Sequence, residues 1–128
     1  MKNMFLILSI FFFITGCSEE ETKSQENSIY GTWQLIERFD GGSPNPNQTI
    51  QNGEIITFSS QNIYSNDSYQ CNGTYNFNNS ILEISASCIT ADLLKYTFTI
   101  ENSELKLTAY PSTCDEGCYD KYRRISSE

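Results

Sequence analysis

Residues 94–109 read LKYTFTIENSELKLTA, and this stretch decides the fold class. Large apolar or aromatic side chains occupy every second position from Leu94 to Ile100, with lysine and threonine between them. The alternation resumes from Leu105 to Ala109. A period of two is typical of a strand that buries one face, and the ENSE segment between the halves favours a tight turn. These residues therefore predict an antiparallel β-hairpin.

The same period of two recurs along the chain and predicts eight strands in all. The six other segments are GTWQLIERF, EIITFSS, NIYSND, YQCNGTYNF, ILEIS and YDKYRRIS. In the first of them, Trp33, Leu35 and Phe39 are expected on one side of the strand. The connections are rich in Asn, Ser and Gly, and only CITADLL could form a single helical turn, capped by Thr90.

Short turns place successive strands side by side and antiparallel. Eight short strands with alternating burial fit a barrel, because closure leaves no exposed sheet edge. The sequence therefore predicts an all-β fold, an antiparallel up-and-down eight-stranded barrel with at most one short helical turn.

A different kind of segment begins the chain. Lys2 precedes an apolar run at residues 4–14, which is shorter than the roughly 20 residues that a membrane-spanning helix needs. The run fits the core of a secretory signal. Residues 14–17, Ile-Thr-Gly-Cys, resemble the lipobox of bacterial lipoproteins. The resemblance implies that residues 1–16 are a signal peptide and that the Cys17 sulfur carries a lipid, which a palmitate analogue would label.

The residues after Cys17 bear on where the protein resides. Several acyl chains on Cys17 would hold the protein firmly on a membrane. In lipoproteins of this kind, Ser18 in place of aspartate implies the outer membrane. Glu19 to Glu21 resemble the acidic surface-export signal of lipoproteins in Bacteroidota-type bacteria, although a solvated tether is the alternative reading. Residues 17–28 are predicted as this acidic tether, and residues 29–128 as one domain.

Charge and composition exclude several functions. Without Lys2 the chain has 7 basic and 16 acidic residues, a formal charge of −9, which argues against nucleic acid as a partner. The chain has no histidine, the commonest general base and metal ligand. We therefore expect no enzyme, no cofactor and no metal. Carboxylates that could be imagined as a catalytic pair or a calcium site, or that flank a turn, are expected to be solvated surface charges. They are Glu37, Asp40, Glu101, Glu104, Asp115, Glu116 and Asp120.

Four cysteines follow Cys17, namely Cys71, Cys88, Cys114 and Cys118. An even number in an exported domain predicts two disulfides, with a Cys₄ zinc site as the rival. Four cysteines allow three pairings, and their positions in the sequence do not choose among them.

The hairpin around Asn78–Asn79 favours one pairing. A four-residue loop would set Phe77 opposite Leu82 and Cys71 opposite Cys88, whereas a two-residue loop would make the cysteines diagonal. Both registers leave the two sulfurs on one face and within reach. We therefore predict the disulfides Cys71–Cys88 and Cys114–Cys118.

The YGTWQLIE segment, with Gly31 and Trp33, resembles the G-x-W signature of lipocalins, and KYRRI resembles their closing-strand arginine. From Ile29 to Ser127, the ordered segments GTWQL, DGGS, NG, CNGTY, ELKL and CDEGC resemble small lipocalin-like lipoproteins of Bacteroidota-type bacteria. The resemblance implies a lipocalin-like barrel in which Arg124, or its neighbour Arg123, packs on Trp33. A guanidinium over an indole is a favourable contact, and the pair is expected to close the barrel without touching a ligand.

Two functions fit such a barrel. The first is a lipid-anchored module that binds a small apolar or amphipathic ligand in the barrel mouth. Its candidate lining residues are Tyr64, Tyr69, Tyr75, Tyr96 and Phe98. The second is a solid barrel with a structural or protein-interaction role, because short strands can fill their own interior. A cavity above about 300 Å³ would favour the ligand. We expect a monomer in either case.

Overall fold

The computed structural model describes residues 28–42, 47–112 and 114–127. The predicted signal peptide, Cys17 and the tether up to residue 27 lie outside the described residues, so they stay predictions. Within the described ranges, no helix has the length and apolar character needed to cross a membrane.

The described residues form nine strands. They are β1 (Gly31–Phe39), β2 (Asn47–Thr49), β3 (Ile55–Phe58), β4 (Ile63–Asn66), β5 (Cys71–Asn78), β6 (Ile81–Ser85), β7 (Leu94–Glu101), β8 (Glu104–Ala109) and β9 (Tyr119–Ser126). Eight of them correspond to the predicted segments. The ninth, β2, lies in a stretch that the sequence marked as a turn and pairs with the end of β1. Its three residues are polar and exposed, so they carry no alternating pattern.

The sheet closes on itself. From β3 to β9 each strand pairs antiparallel with the next, β1 pairs with β3, and β9 pairs back with β1 from Ser126 to Tyr119. The eight main strands therefore form a closed antiparallel barrel with one extra strand, which fits the predicted lipocalin-like barrel. The CITADLL segment forms no helix. Instead, the Ile89 and Thr90 amides donate to the Ala86 carbonyl, and the Thr90 hydroxyl accepts from the Asp92 amide at 3.2 Å.

The two ends of the barrel differ. Turns of two to four residues join β3 to β4, β5 to β6 and β7 to β8 at one end, which we call the closed end. Loops of eight and nine residues follow β6 and β8 at the other, which we call the open end. The core is tightest toward the closed end, where Trp33, Phe58 and Leu82 have no exposed surface. Phe58 also packs edge-on against Tyr75, with 5.0 Å between ring centroids.

A β-bulge divides β1. In the pairing with β9, Leu35 lies opposite Tyr122 and Glu37 lies opposite Lys121, so Ile36 has no partner. An extra residue reverses which face the later side chains occupy. The prediction that Phe39 shares a face with Trp33 and Leu35 was therefore wrong. Phe39 stacks on Tyr119 outside the barrel, with centroids 5.3 Å apart.

The β5–β6 hairpin has the predicted register but a shorter turn. Phe77 lies opposite Leu82, the register expected for a four-residue loop, but Asn78 also pairs with Ile81 and shortens the loop to two residues. Asn79 and Ser80 have φ angles of 49° and 67°, which matches the turn type that suits strand twist in two-residue hairpins.

Candidate functional site

A cavity of about 500 Å³ opens at the open end of the barrel. This volume exceeds the lower bound of about 300 Å³ that is usual for small-molecule sites. Its aliphatic lining residues are Leu35, Ile50, Ile56, Ile84, Ile89, Leu94 and Leu107. They share the wall with four tyrosines and with the polar side chains of Arg38, Glu54, Asn66, Ser68 and Asp120. The barrel is therefore packed solid toward its closed end and hollow toward its open end.

The carboxylate of Glu54 lies in the cavity wall and is held by two hydrogen bonds. One oxygen accepts a hydrogen bond from the Tyr122 hydroxyl and the other from the Asn66 amide, each at 2.9 Å. Asn66 is buried, and its amide nitrogen also donates to the Tyr64 hydroxyl at 3.2 Å. These neutral donors fix the carboxylate against the cavity.

The position of Glu54 depends on the preceding glycine. The Leu35 amide donates to the Glu54 carbonyl at 2.9 Å, which draws this segment against β1. A Cβ atom at Gly53 would lie 2.8 Å from the Leu35 Cβ, closer than real side chains pack. Glycine is therefore required for the close approach that brings Glu54 to the wall.

An ion pair stands at the rim of the cavity. Arg38 donates to both oxygens of Asp120, from Nε at 2.6 Å and from Nη2 at 2.9 Å. Both side chains are partly exposed, and both line the cavity because the bulge at Ile36 turns Arg38 inward, opposite Asp120. The hydrogen bond to Asp120 raises the pKa of Arg38 further above its usual value.

Tyrosine hydroxyls complete the polar lining. Burial raises the pKa of Tyr64 to about 12, and the nearby charge of Glu54 adds to the rise. Burial likewise raises the pKa values of Tyr96 and Tyr122, with Asp120 and Glu54 contributing to both. These three phenols therefore stay protonated at neutral pH and can donate hydrogen bonds.

Three of the five predicted lining residues, Tyr64, Tyr69 and Tyr96, do line the cavity. Tyr75 and Phe98 do not. Tyr75 lies toward the closed end, where its hydroxyl donates to the Ser59 carbonyl at 2.6 Å. Phe98 packs against Phe77, with centroids 5.6 Å apart. Both face inward as their alternation indicates, but they lie too far along the strands to reach the mouth.

Trp33 and Arg124, the pair expected to close the barrel, lie at the closed end. The Arg124 guanidinium stacks 4.1 Å from the Trp33 ring centroid and donates to the carbonyls of Tyr30 and Ser28. The Trp33 indole nitrogen donates to the Ile29 carbonyl at 2.8 Å. The arginine on Trp33 is therefore Arg124 and not Arg123, which is exposed. Neither member of the pair lines the cavity.

Both predicted disulfides are formed, and both lie at the open end. Cys71 at the start of β5 joins Cys88 in the β6–β7 loop, with Cα atoms 5.8 Å apart. Cys114 joins Cys118 within the β8–β9 loop. Where turns are long, these bonds supply the restraint that short turns supply at the closed end.

Sequence reasoning missed most of the polar site. Asp120 was expected to be a solvated surface charge, but it lines the cavity and pairs with Arg38. Glu54 and Asn66 were not singled out. A usable signal existed for Glu54, since it shares the inward parity of Ile56 and Phe58. Of the other carboxylates, Glu37 accepts from the Tyr119 hydroxyl at 2.7 Å outside the barrel.

Comparison with known proteins adds no family. No protein-family model matches the chain, and no curated protein is similar to it. Among the described residues, no group of three or more His, Cys, Asp or Glu side chains is placed to hold a metal ion.

Proposed function

We propose that this protein binds a small amphipathic ligand in the open end of its barrel, as a lipoprotein anchored through Cys17 to the outer membrane. The single observation that supports binding is the cavity of about 500 Å³, whose wall combines aliphatic side chains, tyrosine rings and fixed polar groups. This combination is typical of small-molecule sites. The proposal makes the protein a binding module and not an enzyme.

The cavity supports the first of the two functions expected from the sequence. A solid barrel would place packed side chains along its full length, and it would leave carboxylates outside. Here the wall of the open end includes Glu54, held by two donors, and the ion pair of Arg38 and Asp120. A purely structural barrel has no need for a shaped hollow with polar groups in it, so the ligand-binding function is preferred.

Binding can be tested with N-phenyl-1-naphthylamine, a neutral apolar dye whose fluorescence rises on burial. Replacing Leu94, which lines the cavity, with Trp should fill the hollow and weaken dye binding about tenfold or more. Thr97→Trp is the matched control, because Thr97 lies on the same strand and points outward. The two variants differ from each other only on this strand, so dye bound elsewhere on the chain contributes equally to both fluorescence signals. Equal dye binding by both variants would refute the cavity as the ligand site.

The anchor is a separate part of the proposal and has a separate test. Cys17→Ser removes the only thiol at the lipobox, so the precursor should stay unprocessed and should no longer label with a palmitate analogue. Membrane fractionation and labelling of both forms measure this. Continued acyl labelling of the Cys17→Ser protein would rule out the lipoprotein assignment. The acidic run Glu19 to Glu21 supports display on the cell surface within the same proposal.

A further inference from the structure

We infer that the ligand carries a protonated amine, bound by the carboxylate of Glu54, with its apolar part in the aliphatic hollow. This inference rests on the proposed ligand-binding function and names the chemistry of the ligand. It follows from the balance of charges in the cavity wall and from which of those charges are already paired.

The cavity wall carries one more negative charge than positive charge. Its formally charged side chains are Arg38, Glu54 and Asp120. Arg38 contacts both oxygens of Asp120, so these two charges neutralise each other at the rim. Breaking that pair to free Arg38 for an anionic ligand would leave Asp120 unpaired. A fatty acid or another anion therefore finds no available cation among the described residues of the wall.

Glu54 is in a different position. Its two oxygens accept from Tyr122 and Asn66, which are neutral, and within the described part of the chain no Lys or Arg lies within ion-pair distance of it. A carboxylate offers about four acceptor sites, so two donors leave capacity for a ligand. The protein thus orients the Glu54 carboxylate with neutral donors, and Arg38 attracts its charge only through space, since the Arg38 guanidinium is held by Asp120. An ammonium group supplies the direct partner.

The aromatic side chains fit the same ligand. The rings of Tyr64, Tyr69 and Tyr96 line the cavity, and the Glu54 charge acts on both Tyr64 and Tyr96. An ammonium group is attracted to the face of an aromatic ring within about 6 Å, by roughly 0.5–2 kcal/mol. Carboxylate and rings together favour a cation, whereas the rings alone would accept any apolar ligand.

Three ligands with the same eight-carbon chain separate charge from apolar burial: octylamine, octanol and octanoate. An aliphatic amine is protonated at pH 7, since its pKa is near that of lysine, about 10.4. In displacement of N-phenyl-1-naphthylamine from the unmodified protein, octylamine should bind at least about tenfold more tightly than octanoate, with octanol between them. A ranking in which octanoate equals or exceeds octylamine would overturn the inference.

Glu54→Gln assigns the preference to one residue. The amide keeps the size of the side chain and removes its charge, so octylamine binding should weaken about tenfold while octanol binding changes less than twofold. Glu37→Gln is the control, since Glu37 lies on the outside of β1 and its loss changes net charge equally. An equal loss in both variants would show a general charge effect and refute the role of Glu54.

The outcomes for the two proposals are distinct. If the unmodified protein binds neither the dye nor any of the three ligands, the ligand-binding function itself fails. If it binds the dye and octanol but does not prefer the amine over octanoate, only the amine inference fails. Should Glu54→Gln not fold, the ranking on the unmodified protein still tests the preference of the cavity for an amine, and octanoate binding as tightly as octylamine still overturns the inference.

Discussion

The closed and open ends of this barrel are made from the same strands, yet they are stabilised differently. At the closed end, two- to four-residue turns and fully buried side chains such as Trp33, Phe58 and Leu82 leave no space. At the open end, longer loops surround a hollow of about 500 Å³, and two disulfides replace the missing core. The difference separates the tightly packed part of the core from the candidate binding cavity.

The comparison between the two ends would fail if the same Leu→Ala substitution cost the same free energy of unfolding at both. Leu82→Ala removes a fully buried side chain at the closed end and should cost about 3 kcal/mol or more, roughly 15 °C in melting temperature. Leu94→Ala removes the same atoms from a wall that already borders a hollow, and should cost about 1 kcal/mol. Thermal unfolding by circular dichroism measures both. Equal costs would mean that the open end is as tightly packed as the closed end.

The disulfides test what stabilises the open end. Cys71→Ala/Cys88→Ala opens a loop with a sequence separation of 17, for which chain entropy predicts about 3 kcal/mol. Cys114→Ala/Cys118→Ala, with a separation of 4, should lower the melting temperature clearly less. Non-reducing peptide mapping first confirms the pairs in the purified protein. A larger effect from the smaller ring would contradict the loop-closure explanation.

The stability of the protein at alkaline pH tests whether Tyr64 is buried in the cavity wall. The Tyr64 pKa is raised to about 12 in the folded protein, against about 10 when unfolded, so the native state holds this proton more tightly. The contribution of protonated Tyr64 to the free energy of unfolding is therefore fully present below pH 10. It is lost as the pH rises from 10 to 12, and this loss is on the order of 2 kcal/mol. Urea unfolding across this range should show a shallower decline for Tyr64→Phe. Tyr69→Phe, which removes an exposed phenol, should behave as the unmodified protein.

The strand pattern is local, and for that reason the fold could be predicted from the sequence while the site could not. Alternation in LKYTFTI and ELKLTA predicts which side chains of these two strands face inward. The same alternation in EIITF gives Glu54 the inward parity of Ile56 and Phe58. Alternation does not give height along the barrel axis, so Tyr75 and Phe98 were assigned to a mouth that they do not reach. The three residues of β2 are held by pairing with β1 and have no pattern of their own.

Arg38 illustrates the other limit. Strict alternation from Trp33 places Arg38 outside, and only the unpaired Ile36 turns it inward to meet Asp120. The adjacent apolar residues Leu35 and Ile36, followed by Glu37 and Arg38, interrupt the alternation and are a recognisable sign of a bulge. The partner of Arg38 is 82 residues away, and that contact depends on closure of the whole barrel.

Both ends of the described chain lie at the closed end, where Arg124 near the end of β9 donates to the carbonyl of Ser28. A stalk that continues from Ser28 therefore leaves from the face opposite the cavity. Residues 18–28 can reach at most about 40 Å when fully extended. If Cys17 carries the anchor, the tether joins the barrel at its closed end, and the opening lies on the opposite side of the barrel from the point of attachment. A bead or sensor surface coupled through either terminus would leave that opening unobstructed.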